Sequence, residues 1–122
     1  MQSRGVVTLK DIVIDFDRME LHCDGRLVSA TSLEFRLLKF FIDNPNHVFS
    51  RRELIGAAWS KRKRVNSRTV DTCIWHLRRK LERDPASPVL FQTVHGSGYK
   101  FVPGGLAGGS SGTQFYGRSY SS

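Results

Sequence analysis

The segment from about residue 67 to 83 constrains the fold most, because its side chains separate onto two opposite faces when they are placed on a helix. Apolar residues fall on one narrow stripe: Val70, Ile74, Leu77 and Leu81. The opposite face carries a polar and cationic row, with Thr69 and His76 at its shoulder: Arg68, Thr72, Trp75, Arg79 and Arg83. Successive helical residues are about 100° apart, so this pattern indicates one packed side and one open side. The sequence therefore predicts an anchored helix that presents cations and an indole to a partner.

Surplus positive charge is concentrated around this helix. Residues 51–83 hold 11 of the 19 Lys and Arg but only 3 of the 11 Asp and Glu, which leaves 8 of each sign elsewhere. A localised basic surface neutralises phosphates and releases their condensed counterions, which gives a salt-sensitive affinity before any base is read. The charge distribution therefore favours nucleic acid as the partner.

Alternation of apolar side chains predicts strands at the start of the chain, over residues 6–30. Ile12 and Ile14 belong to a series in which every second residue is apolar. The dipeptide Asp24-Gly25 suits the positive φ angles of a tight hairpin turn, which would send the following residues back antiparallel. We therefore expect a small antiparallel sheet before the first helix.

Two capping boxes predict the starts of two further helices. Each box pairs a hydroxyl with a carboxylate three residues later: Thr31 with Glu34, and Ser50 with Glu53. The apolar period that follows predicts a first helix over about residues 32–43, and the second helix should end near Trp59. The helix at 67–83 is then the third.

The end of the chain predicts a hairpin followed by a tail. Two strand-like runs, 89–94 and 99–102, flank a glycine-containing turn at 95–98. From Gly104 onward Gly and Ser dominate without an apolar period, a composition that artificial linkers share. We therefore expect one domain over residues 6–103 and a flexible tail over 104–122.

Length and composition limit the class of protein. A chain of 122 residues with 39% hydrophobic content can bury one modest core. No run approaches the roughly 20 apolar residues of a membrane span, and the first residues lack the apolar block of a signal peptide, so we expect a cytoplasmic protein. Cys23 and Cys73 do not form a C-x-x-C pair, and reduced thiols fit that compartment.

Strands, three helices and a terminal hairpin, with a basic amphipathic third helix, describe an α+β fold: a winged helix-turn-helix whose third helix enters the major groove beside a β wing. Over about residues 7–103 the sequence resembles the OmpR/PhoB-type effector domain of bacterial two-component response regulators. Segments in matching order carry the resemblance: Thr31-Ser32-Leu33-Glu34-Phe35-Arg36-Leu37-Leu38; Ser50-Arg51-Arg52-Glu53-Leu54 through Trp59; Arg68-Thr69-Val70-Asp71 through Leu77-Arg78-Arg79-Lys80-Leu81; and Thr93-Val94-His95-Gly96-Ser97-Gly98-Tyr99-Lys100-Phe101.

The resemblance implies roles for individual positions. Residues at groove-facing positions of the family are Thr72, Trp75, His76 and Arg79. Residues at positions that hold the DNA backbone are Arg51, Trp59, Arg68, Thr69 and Tyr99, and we add Arg83 from the end of the cationic row. His95, on the wing, would approach the adjacent minor groove. Many relatives carry Arg at position 75, 76 or 95, so the operator of a relative does not transfer to this chain.

The resemblance also implies partners. Such domains bind tandem direct repeats as head-to-tail dimers, are monomers alone, and are controlled by a phosphorelay to a receiver domain. This chain has no room for a receiver of roughly one hundred residues, so we expect either an effector domain cut from a longer protein or a regulator that works without a receiver. Family members are thought to contact RNA polymerase through the loop between the second and third helices. Here that loop contains Lys61, Arg62, Lys63 and Arg64, whose cations equally suit further phosphates or a solvated surface.

Other functions are open at this stage. The alternative is a protein-interaction winged helix that binds an acidic partner or RNA polymerase, with only nonspecific DNA affinity. Single-stranded RNA is disfavoured, because no aromatic stacking sheet is evident. Cys73 and His76 stand three residues apart, but structural zinc needs four convergent ligands, so we expect no metal and no cofactor. No catalytic arrangement is evident, and an enzyme is not expected.

Overall fold

The computed structural model describes residues 5–59 and 64–107 and has the predicted winged-helix order. Four strands come first: β1 Val6–Leu9, β2 Ile12–Asp15, β3 Glu20–Cys23 and β4 Arg26–Val28. Three helices follow: α1 Ser32–Asp43, α2 Arg51–Ala58 and α3 Ser67–Leu81. A hairpin and a 3-10 helix complete the described chain: β5 Phe91–Val94, β6 Gly98–Phe101 and Pro103–Ala107. The α+β class is confirmed.

The first four strands form one antiparallel sheet in the order β1-β2-β3-β4. Ile14 lies opposite both Val7 and Leu21, and all three side chains are buried. Asp24 and Gly25 have φ angles of 58° and 80°, as a primed hairpin turn requires. The predicted sheet and its turn are therefore confirmed.

Both predicted capping boxes are present. The Thr31 hydroxyl accepts from the Glu34 N–H while the Glu34 carboxylate accepts from the Thr31 N–H, and Ser50 and Glu53 repeat the arrangement. The third helix starts differently, since the side-chain Oδ1 of Asn66 accepts from the N–H groups of Arg68 and Thr69. That cap was not predicted.

The predicted range 67–83 for the third helix is two residues too long. The helix ends at Leu81, and Glu82 takes an extended backbone with ψ of 145°. The physical reason is its carboxylate, which turns inward to accept hydrogen bonds from the N–H groups of Val89, Leu90 and Phe91. Arg83 therefore lies beyond the helix.

The core joins the helices to the terminal hairpin through aromatic rings. Phe41 of α1 lies 5.8 Å from Phe91 of β5, and Phe91 lies 5.2 Å from Phe101 of β6, between ring centroids. All three rings are fully buried. The hairpin is thus anchored to the helical layer through one face.

One strand contact was not predicted. Phe49, between α1 and α2, pairs with Tyr99 through two hydrogen bonds of 2.9 Å. The close approach depends on Gly98, because a Cβ there would lie 2.0 Å from the Phe49 carbonyl oxygen. The α1–α2 connection therefore holds the hairpin in place.

The described chain continues past the predicted domain end at residue 103. Gly105 donates to the Val102 carbonyl within the 3-10 helix, and its backbone lies close against Val89. Residues 108–122 of the predicted tail lie outside the described residues. None of the described helices is long and apolar enough to span a membrane.

Candidate nucleic-acid interface

Helix α3 has the two faces that the sequence predicts. Its apolar stripe is buried, with Val70, Ile74 and Leu77 fully inaccessible and Leu81 5% exposed. On the opposite face the residue Trp75 is 52% exposed. An exposed face of this kind is free to meet a partner, whereas the stripe fixes the helix to the core.

The exposed face carries a stack of three side chains. The Arg79 guanidinium lies over the Trp75 ring, 4.9 Å from its centroid, and the His76 ring meets Trp75 edge-on at 5.1 Å. Both Arg79 and His76 are exposed. Three of the four predicted base-reading residues are therefore brought together on one surface.

The first turns of α3 place further polar groups on the same surface. Thr72, the fourth predicted base-reading residue, donates its hydroxyl to the Arg68 carbonyl at 3.2 Å. Arg68 and Thr69 are exposed next to the Asn66 cap. The Asn66 side chain already accepts from the N–H groups of Arg68 and Thr69, but the positive end of the helix dipole and the exposed Arg68 guanidinium still favour an anion here.

Asp71 joins α3 to α2 and the wing, defined as β5, β6 and their turn. Its Oδ1 atom accepts from Arg51 Nε at 2.7 Å and from the Tyr99 hydroxyl at 2.6 Å. The Arg51 guanidinium also lies over the Tyr99 ring, 5.7 Å from its centroid. Arg51 and Tyr99, which were both predicted to contact the DNA backbone, are thus held together by a carboxylate that the sequence had not indicated.

These contacts shift the pKa values of Asp71 and Tyr99 in opposite directions. Burial would raise the pKa of the Asp71 carboxyl, but the hydrogen bonds from Arg51 and Tyr99 outweigh burial, and the pKa is lowered. Burial, and then the hydrogen bond to Asp71, raise the pKa of the Tyr99 hydroxyl. The carboxylate therefore stays ionised and Tyr99 stays protonated at neutral pH.

Arg78 connects α3 to the wing and was missed by the sequence reasoning. Its Nε and one terminal nitrogen donate to the Phe91 carbonyl at 3.0 and 2.7 Å, and the same terminal nitrogen donates to the Thr93 hydroxyl at 2.9 Å. The guanidinium also lies 5.6 Å from the centre of the Tyr99 ring. Arg78 lies within a run of basic residues, and nothing in that run indicates that its side chain contacts the hairpin rather than solvent.

A buried ion pair fixes the other end of α3. Lys80 Nζ donates to Glu34 Oε1 at 2.6 Å, and the same oxygen accepts from the Thr31 N–H. The Glu34 side chain is 6% exposed. The capping residue of α1 therefore also positions the last turn of α3.

The remaining predicted site residues lie around this surface. Trp59 is half-buried and ends α2, as expected, and His95 is exposed in the wing turn. Arg83 pairs with Asp11 at 3.1 Å, so it lies beside the β1–β2 turn. Arg64 is exposed, whereas Lys61, Arg62 and Lys63 lie outside the described residues.

The cysteines and the other potential metal ligands are the remaining candidates for a site. Cys23 and Cys73 are free thiols, and burial raises the pKa of each, so both are predominantly protonated at neutral pH. Within the part of the chain that the structure describes, no three His, Cys, Asp or Glu side chains converge as metal ligands would.

Comparison with known proteins agrees with this geometry. A family model described as "Transcriptional regulatory protein, C terminal" matches residues 25–101. The regulatory protein VirG of Rhizobium rhizogenes is 42% identical over 78 residues, which cover 64% of this chain and 32% of VirG. The chain spans less than half the length of the curated relatives that it matches.

Solved structures show the same fold. The response regulator DrrB of Thermotoga maritima, an OmpR/PhoB homologue, superposes with a TM-score of 0.73 at 31% identity, covering 80% of this chain and 44% of DrrB. The DNA-binding domain of the response regulator AdeR, in complex with an intercistronic region, gives a TM-score of 0.65 at 32% identity, covering 78% of this chain and 97% of that one.

Proposed function

Because this chain belongs to the family of transcriptional regulatory proteins with an OmpR/PhoB-type C-terminal domain, we propose that it binds double-stranded DNA sequence-specifically and regulates transcription. The observation that carries the proposal is the two-sided helix α3. Its apolar stripe is buried, while Trp75 and Arg79 stand exposed on the opposite face. A helix anchored in this way presents side chains to the major groove. The chain acts by binding, and no catalytic step is part of the proposal.

Base edges are read by the exposed face of α3. Arg79 offers paired donors for guanine, His76 can donate or accept, and Trp75 supplies an apolar surface. Thr72 can accept, because its hydroxyl proton is donated to the Arg68 carbonyl. These roles are supported by the placement of all four residues on one exposed face of one helix.

The DNA backbone is held by residues that surround that face. Arg68 and Thr69 lie at the N-terminal turn of α3, and Arg51 and Tyr99 are joined to that turn through Asp71. Contacts of this type fix register and orientation. We assign the same role to Trp59 and Arg83, at the margins, and we place His95 of the wing near the adjacent minor groove.

We place the chain in a two-component regulator that acts in the cytoplasm. The relatives are more than twice as long as the part that this chain matches. We propose that a receiver domain controls the protein by phosphorylation. Two copies bind tandem direct repeats head to tail. The loop that contains Lys61–Arg64 meets RNA polymerase or additional phosphates.

Selection of bound sequences from a random duplex pool tests the proposal. Enrichment of one motif is expected, whereas a winged helix that only contacts protein would enrich none. On the selected site, Arg79→Ala should cost about 1–3 kcal/mol and relax preference at one position. Arg68→Ala should weaken specific and random duplexes alike and reduce the salt slope by about one.

Arg18→Ala is the matched control for lost charge. Arg18 lies on the turn between β2 and β3 and is paired only with its neighbour Asp15 among the described residues. Its replacement should leave both affinities within about twofold, since screened charges away from the interface contribute little. Equal losses on specific and random DNA from Arg79→Ala and Arg68→Ala would refute base reading by α3.

A further inference from the structure

Arg79 differs from the other basic residues at the end of α3 in how its donors are used. Arg78 donates to Phe91 and Thr93, Lys80 donates to Glu34, and Arg83 pairs with Asp11. Among the described residues, no hydrogen-bond acceptor engages the Arg79 guanidinium. Within residues 5–59 and 64–107, its guanidinium makes a cation–π contact with the Trp75 ring. The donors of Arg79 are therefore available to a ligand, although the group itself is held.

The contact with Trp75 leaves the N–H donors of Arg79 without a described acceptor. The guanidinium carbon lies 4.9 Å from the ring centre, and this attraction between charge and ring face uses up none of the hydrogen-bond acceptors that the N–H groups could still meet. Holding the group also lowers the entropy that binding would cost. Arg79 is thus prepared for a planar ligand that accepts two hydrogen bonds, and guanine offers O6 and N7 in the major groove.

Trp75 has more exposed surface than this support requires. The residue is 52% exposed, with Arg79 over its ring and the His76 ring at 72° to it. The apolar group that B-DNA presents in the major groove is the C5-methyl of thymine. Neighbouring base pairs are about 3.4 Å apart, so partners 4.9 Å apart can reach adjacent pairs.

We propose that Arg79 and Trp75 act as one unit that reads a guanine with a thymine next to it. Arg79 donates to guanine O6 and N7, and the free part of the Trp75 ring covers the thymine methyl. This inference rests on the proposed function and names the two-base step that the site prefers. The alternative is that Trp75 only covers the aliphatic part of the Arg79 side chain and contacts no base.

Single-atom changes in the DNA separate these two cases. In the selected site each thymine is replaced in turn by deoxyuridine, which lacks only the methyl, and each guanine by 7-deazaguanine, which lacks the N7 acceptor. For the wild type we expect one deoxyuridine to weaken binding about fourfold, the value of one buried methyl group. A 7-deaza substitution at the adjacent guanine should weaken binding by at least about fivefold.

Protein variants then assign each loss. Trp75→Ala should abolish the deoxyuridine effect and keep the 7-deaza effect, whereas Arg79→Ala should abolish the 7-deaza effect. Leu27→Ala is the matched control, because Leu27 is an exposed apolar residue on β4, and it should keep both effects. Circular dichroism checks that each variant is folded.

The outcomes distinguish this inference from the proposed function. If the pool enriches no motif, the proposed function fails and the inference fails with it. If a motif is enriched but no deoxyuridine weakens binding, or one weakens the Trp75→Ala variant equally, the inference is overturned while sequence-specific binding stands.

Discussion

Replacing Glu82 with alanine tests how α3 is joined to the wing. The carboxylate is buried, with the residue 6% exposed, and it accepts from three consecutive N–H groups at 2.8 to 3.1 Å. Leu90 and Phe91 are fully buried, whereas Val89 is 36% exposed. Water can therefore replace the acceptor at Val89 but not at the other two.

The stability lost in Glu82→Ala follows from the two buried N–H groups, of Leu90 and Phe91, that would have no acceptor. A hydrogen bond to a charged group contributes about 1.5–3 kcal/mol, and a buried donor left without an acceptor costs a similar amount. Two such groups predict a loss of about 3–6 kcal/mol in the free energy of unfolding. For a domain of this size, that loss lowers Tm by at least about 12 °C.

Urea unfolding followed by circular dichroism measures this loss as a change in midpoint at constant slope. Glu82→Gln keeps one acceptor oxygen and should lose about half as much. Glu20→Ala, which removes the same charge from the β3 surface, should change stability by less than about 0.5 kcal/mol. A Glu82→Ala variant within about 1 kcal/mol of the wild type would refute the role assigned to this carboxylate.

Three further changes test other parts of the fold. Because the pKa of Asp71 is lowered in the folded state, its contribution to stability is present above the ordinary carboxyl pKa of about 4 and is lost as pH falls below it. The Asp71→Asn variant should therefore show a smaller fall of Tm than the wild type when the pH is lowered from about 5 to 2. Arg78→Met should cost about 1–3 kcal/mol in urea unfolding, and faster amide exchange in the wing should accompany it. Gly98→Ala should lower the free energy of unfolding by at least about 2 kcal/mol, because the new Cβ would collide with the backbone of Phe49. Gly56→Ala is the control: the position lies in open space inside α2, and the change should raise the free energy of unfolding by about 0.5–1 kcal/mol in the same assay.

The local elements followed from the sequence because their determinants are local. Capping boxes, the Asp24-Gly25 turn and the period of α3 each depend on residues within a few positions of one another. The exposed face of α3 was predicted for the same reason. The roles of its side chains on DNA stay predictions.

Contacts between distant residues were not accessible in this way. Asp71 meets Arg51 and Tyr99 from positions 20 and 28 residues away, and Lys80 meets Glu34 across 46 residues. The helical period placed Arg79 on the exposed face, but nothing in it indicated that Arg78, about 100° away on the helix, would donate to Phe91 and Thr93 of the wing. That contact depends on how the helix packs against the hairpin.

The sequence by itself determined the order and approximate place of the three helices and the two hairpins, which stripe of α3 is apolar, and where positive charge gathers, since propensity and periodicity act over short distances. Only the tertiary structure decided which charged side chains are used up as internal supports and which are left for a ligand. The physical reason is that a hydrogen bond forms only when folding brings its donor and acceptor within about 3 Å, and that distance depends on every packed element between them.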